Sequence, residues 1–383
     1  MSTRDETRPM VNLFRPTLGE QELAAVDQTL ASGWLGRGPR VREFQERFAE
    51  HLGAQASQVR ALSSCTEGLF LAMELLGVGD GDEVVLPTIN FVGAGNAVAA
   101  AGARPVFCDV DPRTLNPRVD DIEAALTSRT RAILLIHYGG LPADIVDICA
   151  LARERGIAVV EDSACSVASS VDGQMCGTFG DIAAWSFDAM KVLVTGDGGM
   201  IWCRDPELAE RVDRLSYLGL EEASGFTQAA QAQRWWEFSI SSFSRRSIMN
   251  DITAAMGLVQ LERVPGFVDR RLAIRERYDE ALAGAGWLTL PPAVPAGRRS
   301  TEYFYWLQVD ERHRDALARH LLAERVYTTF RYYPLHLVER YGWTDPLPAA
   351  ERAARETLCI PIHQGLLDED VERVIEAVLA FRP

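Results

Sequence analysis

The apolar residues in the first half of the chain alternate between two kinds of spacing. Short continuous apolar runs are typical of buried strands, and longer stretches repeat their apolar positions every three or four residues, as on one face of a helix. The predicted strands are Val59–Leu62, Asp82–Pro87, Pro105–Val110, Ala132–Ile136 and Ile157–Val160, and the predicted helices are Leu18–Leu30, Val41–Leu52, Leu69–Leu76, Val92–Ala101, Val119–Leu126 and Ile145–Arg155. This order predicts an α/β domain with a mostly parallel central sheet.

The regular pattern ends near residue 215. Two further strands and one helix complete it, at Ala183–Phe187, Met200–Trp202 and Pro206–Leu215. Residues 216–247 then show no clear period, although they hold a pair of tryptophans, Trp235 and Trp236, and a pair of arginines, Arg245 and Arg246. These pairs favour a functional loop or an interface in this part of the chain.

A smaller α+β domain is predicted at the C-terminal end. Helical spacing resumes at Asp251–Leu261 and continues past Pro265 in a long charged helix, and a linker rich in proline and glycine follows at 291–297. The remaining predicted elements are the strands Tyr305–Val309 and Val326–Phe330 and the helices Asp315–Ala323 and Asp368–Ala380. We therefore divide the chain into a large domain at 11–264 and a smaller C-terminal domain at 265–383, joined by the long helix.

The composition is typical of an ordinary soluble protein and argues against several classes of binding partner. The formal net charge of −15 argues against a basic surface for nucleic acid or an anionic membrane, and 47% hydrophobic residues allow a large core. No apolar run could span a membrane, and the N-terminal residues lack the apolar core of a signal peptide. The seven cysteines include no CxxC pair and are expected to be reduced thiols in a cytoplasmic protein. We expect no metal site.

Lysine is almost absent from the chain, and the one exception lies between two predicted strands. Of the 39 Lys+Arg residues only Lys191 is a lysine, and the glycine-rich turn 195–199 follows it. Arginine serves as a permanent cation, whereas a lysine amine can deprotonate and form an imine with an aldehyde. A lone lysine can also persist by chance on a solvated face. Its position between strands favours the chemical interpretation.

Polar or aromatic groups follow three of the predicted strands, at the edge where parallel sheets bind ligands. The turn Ser63–Gly68 opens directly onto a helix, so it is either an anion site or a plain N-cap. The turn Pro87–Phe91 ends on an aromatic residue, and Asp162 can keep a pyridinium nitrogen protonated or act as a cap. Together with the lysine these groups indicate pyridoxal phosphate. In the tail, His336 is expected to be a hydrogen-bonded loop histidine.

The motifs that carry these groups resemble those of the nucleotide-sugar aminotransferases of the DegT/StrS type. The similarity covers roughly residues 11–380 and includes SGWLGRGPRVREFQERFAEHLGA, GDGDEVVLPTINFVGAGNAV, AGARPVFCDVDPRTLN, HYGGLPADI, VVEDSAC, SFDAMKVLVTGDGG, NDITAAMGLVQLERV and YYPLH. This family belongs to the fold-type-I pyridoxal-phosphate enzymes. The resemblance thus implies a large domain with a mostly parallel sheet, a smaller α+β domain, and a homodimer with active sites at the subunit interface.

The resemblance also implies a role for each matching residue. Lys191 would bind the cofactor covalently and then move the proton between the amino-acid Cα and the cofactor C4′. Asp162 would keep the pyridine nitrogen protonated, and Phe91 would stack on the ring face. The phosphate would be bound by the helix-start residues Ser64, Thr66 and Glu67, mainly through backbone N–H groups, and by the hydroxyl of Ser186.

Three positions depart from the family pattern. Cys165 lies where the family usually has Gln or His near the cofactor O3′, so that hydrogen bond is lost, weakened or supplied elsewhere. Asp197 replaces the usual Glu in the glycine turn. Arg246 lies where an Asn usually reaches the phosphate in the partner subunit, and since arginine can bind phosphate through two hydrogen bonds, we expect Arg246 to do this work.

The function that the resemblance implies is transamination in two half-reactions. An amino acid, expected to be L-glutamate, would leave its amino group on the cofactor, and a nucleotide-linked keto-sugar would receive it. The Arg-Arg-Ser-Ile-Met-Asn-Asp segment favours C4 of a dTDP-linked sugar in an antibiotic or other natural-product pathway. The alternatives are an aminotransferase for a cyclitol or other non-nucleotide ketone, a sugar dehydratase, which would carry His in place of Lys191, and a regulator that only retains the fold.

Overall fold

The computed structural model describes residues 9–221 and 236–383, so the predictions for Trp235 and for the first eight residues lie outside the described residues. The helices are α1 Glu20–Ser32, α2 Pro39–Leu52, α3 Cys65–Leu75, α4 Val92–Ala100, α5 Val119–Ala125, α6 Ile145–Arg155, α7 Pro206–Leu215, α8 Asp251–Leu282, α9 Glu311–Ala323, α10 Pro348–Glu356 and α11 Asp368–Ala380. The strands are β1 Val59–Leu62, β2 Glu83–Pro87, β3 Arg104–Cys108, β4 Thr130–Ile136, β5 Ala158–Asp162, β6 Ser170–Val171, β7 Gln174–Met175, β8 Ile182–Ser186, β9 Gly199–Cys203, β10 Leu288–Thr289, β11 Arg298–Arg299, β12 Tyr305–Val309 and β13 Thr357–Ile360.

A seven-stranded sheet with the order β1-β9-β8-β5-β4-β2-β3 forms the centre of the molecule. Strands β3, β2, β4, β5 and β8 pair in parallel, and β9 pairs antiparallel with both of its neighbours. The register aligns Ile136, Asp162 and Ala184, so the carboxyl ends of three adjacent strands lie at one edge. The prediction of a mostly parallel sheet is confirmed.

Helices cover both faces of this sheet, which explains the continuous apolar runs in its sequence. In β4 the side chains from Ala132 to Ile136 are fully buried, and they alternate between the two faces of the sheet. Ile133 and Leu135 pack in one hydrophobic cluster, Ala132 and Leu134 pack in a second, and Ile136 packs in a third. Because such strands have no solvated face, their sequence shows no polar alternation.

Helix α8 is a single helix of 32 residues that continues through the predicted boundary between residues 264 and 265. It begins at Asn250, whose side chain accepts a hydrogen bond from the Thr253 N–H at 3.0 Å, and it contains Pro265. The buried Asp251 carboxylate accepts the N–H groups of Gly38 at 2.8 Å and Val41 at 3.0 Å. These bonds fix the start of α2 against α8. The division into two domains stays a prediction.

The predicted strand at Val326–Phe330 is wrong. Its β-branched residues favour a strand, but Val326 forms one isolated bridge with Val11, and Thr329 forms one with Cys359. The segment changes partner within three residues, so no continuous ladder forms, and tertiary context overrides its propensity. The third strand of the small antiparallel sheet β10-β12-β13 is Thr357–Ile360 instead, which the sequence pattern did not reveal.

All seven cysteines are buried free thiols, as predicted. Burial raises the pKa of several of them, including Cys203, where the pKa is about 12. In the two described segments, no helix has the length and apolar character that a membrane span requires.

Candidate active site

A cavity of about 340 Å³ opens at the carboxyl edge of the central sheet. Six of the predicted site residues line it: Ser64, Thr66, Phe91, Asp162, Ser186 and Lys191. Asp162 is the last residue of β5, and Ser186 is the last residue of β8. The parallel strands therefore place the polar groups at their carboxyl ends in one cavity, which is where parallel sheets bind ligands.

Helix α3 points its N-terminus at this cavity. Ser64 is the N-cap, and its hydroxyl accepts the Glu67 N–H at 3.1 Å. The first N–H groups of a helix have no carbonyl one turn earlier, and the helix dipole places partial positive charge there. With Ser64 and Thr66 on the cavity wall, the turn is suited to a phosphate.

Two glycines allow the walls to approach each other closely. A Cβ on Gly199, in β9, would lie 2.4 Å from the carbonyl carbon of Ser64 and 2.5 Å from the nitrogen of Cys65. A Cβ on Gly93 would lie 2.9 Å from the Phe91 ring. Only glycine therefore lets β9 pass beneath the anion turn and lets the Phe91 ring lie over the start of α4.

The Asp162 carboxylate lies at the floor of the cavity and is 1% exposed. One of its oxygens, Oδ1, accepts the Ala164 N–H at 3.0 Å and contacts the Cys65 thiol at 3.8 Å. Burial raises the pKa of Asp162, and the Ala164 N–H and the Lys191 ammonium act in the opposite direction. Both bonds use Oδ1, so Oδ2 is available to a protonated ring nitrogen.

The turn after β8 carries Lys191 and holds it by backbone hydrogen bonds. The Lys191 N–H donates to the Asp188 carbonyl at 2.9 Å, and the Thr195 N–H donates to the Phe187 carbonyl at 2.8 Å. Gly196 has a φ of 91°, in the region that favours glycine. The turn therefore returns the chain into β9 with the amine directed to the cavity, which Lys191 lines.

Acidic neighbours surround the lysine amine. Burial by itself would lower the pKa of Lys191, but Tyr303, Tyr332, Cys165 and Asp162 together raise it well above its ordinary value. These neighbours favour the ammonium form of Lys191, whereas burial favours the neutral amine.

Two buried glutamines fix the segment that follows the lysine. The Gln364 side-chain N–H donates to the Val192 carbonyl at 3.2 Å, and the Val194 N–H donates to the Gln260 side-chain oxygen at 3.3 Å. The Arg271 guanidinium donates to the Gln364 oxygen at 2.9 Å, which fixes the orientation of that amide because arginine has no acceptor. Helix α8 and the C-terminal tail thus both hold the lysine turn.

Further residues of the cavity lining were not singled out in the sequence analysis. They include Asp188 and Met190 in the lysine turn, Tyr303 before β12, and Arg331 and Tyr332 in the tail. The Phe91 ring meets the Tyr332 ring edge to face at 5.9 Å. The YYPLH segment, of which Tyr332 is the first residue, was a signal that could have identified this part of the lining.

Three predicted site residues lie outside the cavity lining. Glu67 donates its N–H to Ser64, and its carboxylate pairs with Arg245 at 2.6 Å. Cys165 is buried behind the wall, with its Sγ 3.7 Å from the Tyr332 hydroxyl. The exposed Arg246 places its guanidinium 5.6 Å from the centre of the Tyr217 ring.

His336 is an ordinary buried histidine of a loop, as predicted. Its Nδ1 is 2.8 Å from the Thr88 hydroxyl, and its N–H donates to the same oxygen at 3.1 Å. Its Nε2 lies 3.4 Å from Glu351. These contacts attach the tail to the end of β2 and leave the histidine no part in the cavity.

The residues present fit pyridoxal phosphate. The cavity combines an anion-binding helix start, a buried carboxylate with one oxygen available, an aromatic face and an amine. These are the groups that a phosphate, a pyridinium nitrogen, a flat ring and an aldehyde require. Among the described residues no cluster of three or more His, Cys, Asp or Glu side chains could hold a metal ion.

Comparison with known proteins agrees with this chemistry. A relative from Saccharopolyspora spinosa, named dTDP-4-dehydro-2,3,6-trideoxy-D-glucose 4-aminotransferase, is 51% identical over 96% of this chain and 95% of its own length. The crystal structure of the aminotransferase TlmJ from Streptoalloteichus hindustanus has 61% identity and a TM-score of 0.93, covering 97% of this chain and 98% of that one.

More distant structures share the fold and bear on the cofactor. The protein Spr1654 from Streptococcus pneumoniae, solved in a PLP form, is 26% identical with a TM-score of 0.87 over 96% of this chain and 97% of that one, and it was also solved in a PMP form. The model of the DegT/DnrJ/EryC1/StrS aminotransferase family matches residues 16–379. The predicted fold class and aminotransferase activity are confirmed, and the chain belongs to the DegT/DnrJ/EryC1/StrS aminotransferase family.

Proposed function

We propose that this chain is a pyridoxal-phosphate-dependent aminotransferase that moves an amino group from L-glutamate to C4 of a dTDP-linked keto-sugar. The observation that carries the proposal is that the single lysine of the chain lines the same cavity as Asp162 and the first turn of α3. Amine, buried carboxylate and anion site lie together although they are far apart in the sequence. One cofactor, pyridoxal phosphate, would explain why an amine, a buried carboxylate and an anion site lie together.

Each residue has a defined task in this function. Pyridoxal phosphate, when bound, supplies a ring that accepts the electrons left behind when the substrate Cα loses its proton. Lys191 Nζ takes up that proton and returns it at the end of the transfer. Asp162 Oδ2 keeps the ring nitrogen protonated, Phe91 covers one face of the ring, and the start of α3 with Ser186 binds the phosphate.

The sugar substrate is inferred from the relative and from the charges at the cavity. The relative named for a dTDP-linked 4-keto sugar is 51% identical across nearly the whole chain, which favours the same substrate class. Arg331 lines the cavity and supplies a cation for an anionic substrate on a protein with a net charge of −15. We place the enzyme in the cytoplasm, in a pathway to an antibiotic or other natural product.

The active unit in this proposal is a homodimer, in which Arg246 binds the cofactor phosphate of the partner subunit. Arg246 is exposed and lies outside its own cavity, as a group that acts across an interface must. Its neighbour Arg245 is already paired with Glu67 in the same chain. We expect Arg246→Ala to weaken cofactor binding and Arg245→Ala to weaken it less. Unchanged cofactor affinity in Arg246→Ala would remove this residue from the site.

The test of the proposal is an absorbance spectrum of the purified protein before and after addition of L-glutamate, with Lys191→Ala as the matched variant. A band at the violet edge should fall while a near-ultraviolet band rises, and the variant should show no such response. Absence of a band even with added pyridoxal phosphate would refute the proposal.

A screen of acceptors then separates the substrate classes. A dTDP-linked 4-keto sugar should restore the first band in the wild-type protein, and the yield of aminated sugar gives the rate. Restoration by a cyclitol ketone, and by no nucleotide sugar, would move the enzyme to the class of aminotransferases for non-nucleotide ketones.

A further inference from the structure

Tyr303 is the residue in closest association with Lys191 to which no role has been given. It is 3% exposed and lines the cavity. The Lys191 Nζ lies 4.8 Å from the centre of the Tyr303 ring, and the charge of the amine lowers the pKa of the Tyr303 hydroxyl, which burial raises. The Tyr303 side chain is thus close to the reacting amine.

The surroundings of Tyr303 fix its ring. Phe14 stacks on it, with ring centres 5.6 Å apart and planes 21° apart. The Tyr303 N–H donates to the Gly139 carbonyl at 2.8 Å, and Arg271 donates to the Tyr303 carbonyl at 3.3 Å. Both the ring and the backbone of Tyr303 are therefore held in place beside the lysine.

Arg271 holds Tyr303 through its backbone carbonyl, and its other hydrogen bonds go to groups other than Lys191. It is 1% exposed, and it donates to the Glu302 carbonyl at 3.0 Å and to the Gln364 side chain at 2.9 Å. The Glu302 carboxylate is engaged by Arg275 at 2.7 Å instead. Arg271 is thus a positioning residue that acts through Tyr303 and Gln364.

The remaining titratable or charged groups that face the amine are few. They are Cys65 on α3, Asp162 at the end of β5, Cys165 in the loop after it, Asp188 and Asp197 in the lysine turn, and Arg331 and Tyr332 in the tail. Of the carboxylates, Asp162 acts most on the charge of the amine, and in the proposed function its second oxygen serves the ring nitrogen. An ammonium at Lys191 then needs a further partner, and the Tyr303 ring, 4.8 Å from Nζ, is in place to supply it.

We propose that Tyr303 is a further catalytic residue, which stabilises Lys191 Nζ in its protonated state between the uptake and the return of the substrate proton. The inference rests on the proposed aminotransferase function. The ring makes a cation–π contact with the ammonium, and in this state the hydroxyl would accept a hydrogen bond from it. A neutral amine gains less from either contact, so both favour the proton-carrying state.

The single lysine makes the test direct. In protein grown with lysine that carries ¹³C at Cε, one NMR signal reports Lys191, and no assignment is needed. Because the pKa of Lys191 is raised above its ordinary value, the signal is followed from pH 7 to pH 12. It is recorded in the full chain loaded with pyridoxamine 5′-phosphate, a form in which the amine is free, and in the cofactor-free chain. Its chemical shift gives the protonation state of Nζ at each pH.

The variants are chosen to remove the hydroxyl first and then the ring. Tyr303→Phe is expected to move the titration of Lys191 to lower pH by about one unit, since a charge-assisted hydrogen bond corresponds to one pKa unit or more. Tyr303→Leu should move it further. The matched control is Tyr305→Phe, which removes another buried hydroxyl, bonded to Asp279 at 2.8 Å, and should leave the titration unchanged.

The outcomes separate this inference from the function on which it rests. A Lys191 signal that is the same in the wild-type protein and in both Tyr303 variants would overturn the role of Tyr303. Failure of the wild-type protein to retain pyridoxamine phosphate would refute the cofactor proposal, and the cofactor-free titration would still decide the Tyr303–Lys191 pair. With turnover established, Tyr303→Phe should also show a larger kinetic isotope effect for L-glutamate deuterated at Cα.

Discussion

The two walls of the cavity were not equally visible in the sequence. The sheet wall, defined as Ser64, Thr66, Asp162, Ser186 and Lys191, follows the ends of strands, and every one of its members was predicted. The tail wall, defined as Tyr303, Arg331 and Tyr332, was not singled out. The residues of the sheet wall lie at the ends of strands or shortly after them, where a sequence pattern can locate them. The residues of the tail wall come together only when segments that are far apart in the sequence pack against each other.

This difference suggests a division of work. The sheet wall presents groups that the cofactor needs in any reaction of this kind, namely an anion site, a carboxylate and an amine. In our proposals the tail wall presents the groups that hold the amine and meet the substrate. We therefore expect substitutions in the sheet wall to have larger effects than substitutions in the tail wall, and the following experiments test that order.

The largest effect is expected for Asp162→Asn in the sheet wall. The amide keeps the size of the side chain but cannot hold a protonated ring nitrogen by charge, so kcat/KM should fall by about 10²–10³-fold. Steady-state kinetics with a keto-sugar acceptor measures it. Asp188→Asn is the control, because Asp188 lines the same cavity and, among the described residues, its carboxylate accepts the Met190 N–H alone, at 2.9 Å. Equal losses in both variants would contradict the role of Asp162.

Next in size is Gly199→Ala, which tests the backbone of the sheet wall. The added Cβ would meet the Ser64 and Cys65 backbone, which cannot move aside, so the free energy of unfolding should fall by about 1–3 kcal/mol. Urea denaturation measures it. Gly266→Ala in α8 is the control, since nothing lies within 4 Å of its Cβ and the helix should become slightly more stable. A stable Gly199→Ala protein would show that the anion turn is not tightly packed.

Gln364→Leu should have a moderate effect because Gln364 supports the lysine turn and, through Arg271, Tyr303 of the tail wall. It removes the donor to the Val192 carbonyl and the acceptor of Arg271, so the lysine turn loosens and kcat should fall by about tenfold with little change in KM. Gln58→Leu, which removes a glutamine bonded to the Arg204 carbonyl on the surface, is the control. If kcat is unaffected, the turn holds Lys191 without the tail.

The smallest effect is expected for Tyr332→Phe. The Tyr332 hydroxyl lies at the cavity beside Cys165, where the family usually has Gln or His, and we propose that it replaces their hydrogen bond to the cofactor. One neutral hydrogen bond corresponds to about a two- to tenfold weaker cofactor affinity, measured by equilibrium titration. Tyr333→Phe is the control because Tyr333 is 60% exposed. Equal affinities in the wild-type and Tyr332→Phe proteins would indicate that no group replaces that bond.

Particular residues show why the sequence was informative for one wall and not for the other. Asp162 and Lys191 could be found because a parallel sheet brings its strand ends together whatever the rest of the chain does. Tyr303 could not be found in the same way, since it precedes a strand of a different sheet and reaches the cavity only through the packing of Gly139, Phe14 and Arg271 around it. Spacing along the chain contains no information about such contacts.

The error at Val326–Phe330 has the same origin. Composition predicted a strand there, but Val326 and Thr329 pair with different segments, and the small sheet takes Thr357–Ile360 instead. For elements held by neighbours far away in the sequence, propensity indicates which residues tolerate an extended backbone and does not indicate which partner they find.

The rarity of lysine also determines how this protein is cut. A protease that cleaves only after lysine has one site in the chain, the bond between Lys191 and Val192, and would divide it into fragments 1–191 and 192–383. Val192 is 2% exposed and its carbonyl is bonded to Gln364, so this bond becomes accessible only when the lysine turn leaves the core. The rate at which two halves appear on a gel therefore reports how often the lysine turn opens, by local or by global unfolding, without a label or a reporter group.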